Sequence, residues 1–238
     1  MTIIKTFSIK DAFSTAYKDF TNNITTMIML AIAFFVLHSP ITLWTSSWVQ
    51  QVANRPKPED LVALYKSFQS TLTFLASISI FGLLASQIVE YFTFALGKRF
   101  HEKNHSLEHD FSVKNFLRFF LARFIYKVKF LLGTLLFFFP GIYLLLKNFF
   151  AGYSLIDDSS KGFAEDAAIS HILTRGVKLK ILLLTILQMG PSIIVGILVG
   201  PSMILGLITL FFNSLLSVYF YLVYVAVYYQ LKTARMPQ

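Results

Sequence analysis

The 238-residue chain has the length of one or two soluble domains, but 55% of its residues are hydrophobic, 14% are charged and mean hydropathy is +0.64, outside the soluble range. With no cysteine, it has neither disulfides nor thiolate metal sites. The net charge of +9 does not point to nucleic acid. The basic residues sit at the ends of apolar segments, where anionic headgroups attract them, and no separate basic stripe is interleaved with exposed aromatics.

Residues 3–20 place Ile3, Ile4, Phe7, Phe13, Ala16, Tyr17 and Phe20 at helical spacing, with Lys5, Lys10, Asp11, Lys18 and Asp19 mostly elsewhere around the wheel. This predicts an amphipathic helix lying either in the membrane interface or on the protein's own cytoplasmic face. A bilayer core takes about 20 apolar residues to span. Apolar runs near 24–44, 71–97, 120–139, 141–156, 179–199 and 203–230 therefore predict an all-α, polytopic protein of six transmembrane helices, one integral membrane domain over 1–238. The first run starts only at Ile24 and lacks a small-residue cleavage pattern, so the first span is expected to be retained.

Trp44 and Trp48 mark the far end of span one, and Arg55-Pro56-Lys57-Pro58-Glu59-Asp60 reads as an exterior turn. Span two returns to a basic stop at Lys98-Arg99, followed by a His-rich loop. Span three opens through Lys114, Arg118, Arg123, Lys127 and Lys129, whose long side chains are expected to snorkel to the interface, leaving Phe130–Phe139 as the apolar stretch proper.

Pro140-Gly141 breaks the next run, either as a kink in one long span or as a hairpin. Charge selects the hairpin. A five-span chain with its N-terminus inside sends Lys161, Arg175, Lys178, Lys180, Lys232 and Arg235 outside, whereas six spans leave all but Arg55, Lys57, Lys66 and Lys147 of the 21 Lys and Arg inside. Residues 160–176 predict a second interfacial helix, capped by Ser160 and closed by Gly176, with Ala164, Ala168 and Ile172 in one stripe. Gly190-Pro191 predicts a kink in span five, and Gly200-Pro201 the last exterior turn. Gly196 and Gly200 have the spacing of close helix packing, and Tyr221, Tyr224 and Tyr228 share one face of span six.

The stretch 137–176, with Pro140, Gly141, Asp157, Asp158, Ala167, Ala168 and Ser170 between an aliphatic run and a further span, resembles the YciC-like family of bacterial inner-membrane proteins. It also resembles, more distantly, the membrane domain of some glycerophosphodiester phosphodiesterases. The order of elements extends the resemblance over nearly the whole chain. It implies an inner-membrane location and about six helices, and carries no activity; the density of Phe, 26 residues, departs from more aliphatic relatives.

Glu90 and Lys147 are the acidic and basic residues deep in the spans, at similar depth. They form a polar intramembrane site, read first as a structural ion pair or as snorkelling groups, and second as a site for an ion, a proton or a lipid headgroup. His101-Glu102-Lys103-Asn104-His105 matches H-E-x-x-H, and His109 adds a third imidazole at the same spacing. Lys103 inside the motif and the lack of a soluble domain to shape a cleft argue against zinc, so a solvated loop is expected. Asp157-Asp158 reads as an acidic helix start.

The expected protein is thus non-enzymatic and without cofactor. Its partners are membrane lipids, other membrane proteins or itself. Its place is the bacterial inner membrane, both termini cytoplasmic, in upkeep of the envelope. The alternatives are a small transporter using Glu90, Lys147 and the breaks at Pro140 and Pro191, and a zinc peptidase.

Overall fold

The computed structural model describes residues 6–53, 81–82, 84–101, 112–158, 160–199 and 203–236, and every regular element among them is helical. The elements are α1 (Ile9–Asn22), α2 (Ile24–Ala53), α3 (84–101), α4 (Val113–Leu136), α5 (Phe138–Lys147), α6 (Tyr153–Asp157), α7 (Phe163–Thr174), α8 (Lys178–Val199) and α9 (Met203–Arg235). Ile24–Leu43 and Ile204–Arg235 are, among the described residues, the two stretches long and apolar enough to cross a membrane.

Helix α9 is the axis. Leu222 through Tyr229 are all buried, as a helix that is apolar all round must be. Helices α1, α2 and α8 pack along it. Helix α3 approaches so closely that a Cβ on Gly97 would lie 2.8 Å from Val225 Cγ1. Helix α1 starts at Ser8, whose hydroxyl accepts from the Asp11 amide, and buries Ala12 and Ala16 against α9. Phe13 and Phe20 each set a ring 6.0 Å from that of Tyr219, the first tilted and the second edge-on. The helix packs on α9, with Tyr17 left exposed.

The chain reverses between α4 and α5, but at Phe137 rather than at Pro140-Gly141. Phe137 is the one extended residue between the helices, and its amide donates to the Gly133 carbonyl. Pro140 falls in the first turn of α5, where a missing N–H costs no helical hydrogen bond. Gly141 sits at the contact of the legs, since a Cβ there would lie 2.7 Å from the Thr134 amide nitrogen and 2.8 Å from its Cα. The hairpin is therefore tight, and glycine is what permits it.

One further expectation is corrected. The run 141–156 is not one helix: α5 ends at Lys147, the chain turns through Asn148–Gly152, and α6 follows. Pro191 lies inside α8, which continues on both sides of it. Helix α7 is capped by Gly162, while Ser160 instead bonds to Asp158, and Gly176 does take the positive φ of a helix terminator. It turns Asp166, Ile169, Ser170, Leu173 and Thr174 inward, leaving the Ala164, Ala168 and Ile172 stripe exposed.

Replacing Gly141 by Ala drives a methyl into the Thr134 backbone, an overpacking that typically costs about 1–3 kcal/mol. Thermal unfolding in mild detergent should show Gly141→Ala melting below the parent protein, and Gly190→Ala, a helix-interior site where nothing lies within 4 Å of the new atom, melting at or above it.

Candidate functional site

The turn after α5 places non-helical backbone inside the protein. Asn148, Phe150, Ala151, Gly152, Tyr153, Ser154, Leu155 and Ile156 are buried, and their polar groups must find partners there. Gly152 has φ +90°, a conformation that side chains rarely adopt, and a Cβ on it would meet Phe119 at 2.7 Å. Around this segment lie three carboxylates, from Glu90, Asp157 and Asp166, each held by groups from other elements.

Glu90 on α3 accepts from the guanidinium of Arg123 on α4, and from the Tyr153 hydroxyl at 2.9 Å. Arg123 also donates to the Phe149 carbonyl at 2.7 Å and lies over the Tyr153 and Phe119 rings, 4.8 and 5.6 Å from their centroids. One cation thus joins α3, α4 and the buried turn. Arg123 Nε and Gln87 Oε1 are buried without a hydrogen-bond partner among the described residues.

One of the readings paired Glu90 with Lys147, whereas in the structure Glu90 pairs with Arg123. Lys147 closes α5, its carbonyl accepts from the Ser170 and Thr174 hydroxyls at 3.1 Å each, and its charge acts on His171. Arg123, expected to snorkel, is the partner instead. Asn115, Phe119 and Arg123 are spaced four apart, and the first two are buried, so the third shares their inward stripe. That spacing was the available signal.

Asp157 accepts from Tyr228 at 3.0 Å and Tyr229 at 3.2 Å, and pairs with Lys232 at 2.6 Å, all on α9. Of the tyrosine face on span six, Tyr228 is thereby tied to an acid that had read as a helix start. Lys98, only 2% exposed, donates to the Ile156 and Asp157 carbonyls at 3.2 Å each and so closes the end of α6. Asp166, fully buried, takes the Gly152 amide on both oxygens at 2.9 and 3.0 Å and the Ser154 hydroxyl. Burial pushes its carboxyl above the usual range, against those hydrogen bonds. Asp158, outside the cluster, is held low by the Ser160 hydroxyl and amide.

Aromatic rings fill the space between the charges. Phe94 lies 4.4 Å from Tyr153 and 5.5 Å from Tyr228, centroid to centroid, and Phe150 lies 5.8 Å from both tyrosines. His101 ends α3 with Nδ1 3.0 Å from the Gly97 carbonyl oxygen and its ring stacked on Tyr229 at 4.7 Å, beside an open cleft of about 800 Å³ lined by Thr6, Ser8, Asp11 and Thr15. His105 and His109 lie outside the described residues, as does Gly200. Among the described residues no group of three His, Asp or Glu side chains is placed to hold a metal ion. The arrangement is one of paired charges and capped carbonyls, suited to holding backbone in place.

Comparisons with models of known families, with curated proteins and with solved structures find no match.

Removing one partner of a buried ion pair typically costs about 3–5 kcal/mol, while replacing both by apolar groups is far milder. Glu90→Gln should therefore melt well below the parent in detergent, and Glu90→Leu with Arg123→Leu should recover much of that loss; equal loss in both would contradict the pairing. Asp166 gives a pH signature. Its folded-state pKa is raised, so the stability it contributes is full below the unfolded value of about 3.9 and fades as pH rises through the folded value. The melting-temperature gap between the parent and Asp166→Asn should widen as pH falls from neutral toward about 4.

Proposed function

We propose that this is a non-enzymatic multi-pass protein of the bacterial inner membrane, both termini cytoplasmic, that serves upkeep of the envelope through contact with lipids or a partner membrane protein. The resemblance to the YciC-like family belongs to the same proposal. The observation that carries it is the division of the side chains between inside and outside. The carboxylates of Glu90, Asp157 and Asp166 are bound to groups of the same chain, which supports a structural role for them. Outward faces instead carry large apolar groups, among them Met29 and Val36 on α2, Leu183 and Ile186 on α8, and Ile204 and Phe212 on α9. Apolar surface on that scale points to a membrane or a membrane partner as the solvent.

The placement of the ends supports the topology. The Ser8 amide donates to Gln230 at 3.2 Å and Lys180 donates to the Phe7 carbonyl at 3.0 Å, so the start of α1, the start of α8 and the end of α9 lie together. The reversal at Phe137 returns the chain toward that same end, as the charge distribution requires.

Mild extraction followed by mass spectrometry of the intact particle tests the reading. Retained phospholipid, or a co-purifying membrane protein, is expected. Release of the protein from membranes by alkaline carbonate, with neither retained, would contradict it.

A further inference from the structure

The α4–α5 hairpin ends in an apolar tip that nothing in the described structure covers. Leu135, Leu136, Phe137 and Phe139 are 75%, 74%, 72% and 81% exposed, and Leu131, Leu132 and Phe138 are exposed as well. No charged residue occurs between Lys129 and Lys147. On the first leg Lys129 lies 5.2 Å from the centroid of the Tyr126 ring, and beside the second leg Lys178 lies 4.8 Å from that of Tyr143. Tyrosine with lysine on both flanks is the arrangement that marks a headgroup layer.

The charge-free lengths beyond the flanking lysines are too short for a crossing. From Lys129 to Phe137 the helix rises about 12 Å, and α5, ten residues in all, is about 15 Å long. A hydrocarbon core is about 30 Å thick. Resting on the membrane reading above, we propose that the α4–α5 hairpin is a re-entrant wedge, its tyrosine–lysine belt at the headgroups of the cytoplasmic leaflet and Leu135–Phe139 among the acyl chains of that leaflet.

The tip suits that medium in its backbone as well as in its side chains. Hydrocarbon offers no partner to an open N–H or C=O, so a turn there must be short and bonded to itself. This one uses a single extended residue: the Phe137 amide donates to Gly133, the Phe137 carbonyl accepts from Gly141 at 3.3 Å, and Pro140 brings no N–H. Thr134, the polar side chain near the tip, donates its hydroxyl to the Phe130 carbonyl at 2.9 Å. The occupant is lipid and not a second protein surface because the apolar tip is continuous around both legs and is followed on each by a cation, which fits anionic headgroups above acyl chains. A wedge confined to one leaflet displaces lipid on that side alone, which gives the hairpin a direct means of acting on the bilayer.

The absence of cysteine makes the test direct. Phe138→Cys and Leu135→Cys, both at exposed positions, are labelled with a fluorophore in the full chain, with Leu37→Cys on α2 and Tyr17→Cys on α1 as references. Each is reconstituted in vesicles of neutral and anionic phospholipid. Labels at 135 and 138 are expected to lose most of their emission to lipids carrying a mid-chain nitroxide, as the label at 37 does, and to resist water-soluble quenchers on either face. Quenching at 138 from the far aqueous face would mean a full crossing and would overturn the proposal. So would quenching from the near face alone, or disulfide formation between copies through position 138. Loss of mid-chain quenching at 37 would instead sink the membrane reading itself, which separates the two failures.

Discussion

The structure depends on how a largely buried stretch of ten residues, half of it non-helical, is satisfied. Between the end of α5 at Lys147 and the end of α6 at Asp157 the chain runs through the interior, where each unmet N–H or C=O costs as much as a lost hydrogen bond. Charged groups from three helices meet that demand, Arg123 at the Phe149 carbonyl, Lys98 at those of Ile156 and Asp157, and Asp166 at the Gly152 amide, while Lys232 on α9 pairs with the Asp157 carboxylate. These contacts add fixed polar anchors to the apolar core that already joins α3, α4, α7 and α9.

The basic residues accordingly serve two purposes. Taken as sequence, their segregation to one end is a membrane signal, with headgroups as the counterions. In the folded chain several donate to backbone carbonyls: Lys98 at the end of α6 and Arg235 at the end of α7 at 2.7–2.9 Å act as caps, while Arg118 takes the Lys161 carbonyl and Lys180 that of Phe7 in the connecting segments. A cation at a helix's carboxyl end satisfies orphan acceptors and the dipole together. Positive-inside bias and internal capping place the same residue types at the same end, so the count of charges alone does not distinguish them.

This explains what was legible in the residues. The helical class, the reversal near Pro140 and the termination at Gly176 follow from local chemistry: apolar periodicity, proline's missing donor, and glycine's access to positive φ. The location of the turn at Phe137 was not legible, because Pro140 is as acceptable in the first turn of a helix as in a loop. The partner of Glu90 was not legible from depth either. Depth in a span ranks Lys147 first, whereas pairing is settled by which helix faces which, and Arg123 follows Phe119 by one turn on the buried stripe of α4. The break at Asn148 escaped notice for a similar reason. Its apolar flanks read as one run, and only the carboxylates and cations arriving from residues distant in sequence make an interior turn tolerable.

Internal ion pairs hold one end of the bundle, and apolar faces with a one-residue hairpin form the other. Amide hydrogen exchange across 148–157 tests the central claim most directly. The account predicts that these amides exchange as slowly as those of Leu222–Tyr229 on α9, because opening the turn requires breaking the Arg123, Lys98 and Asp166 contacts together. Exchange as fast as in exposed backbone, with α9 still protected, would contradict it.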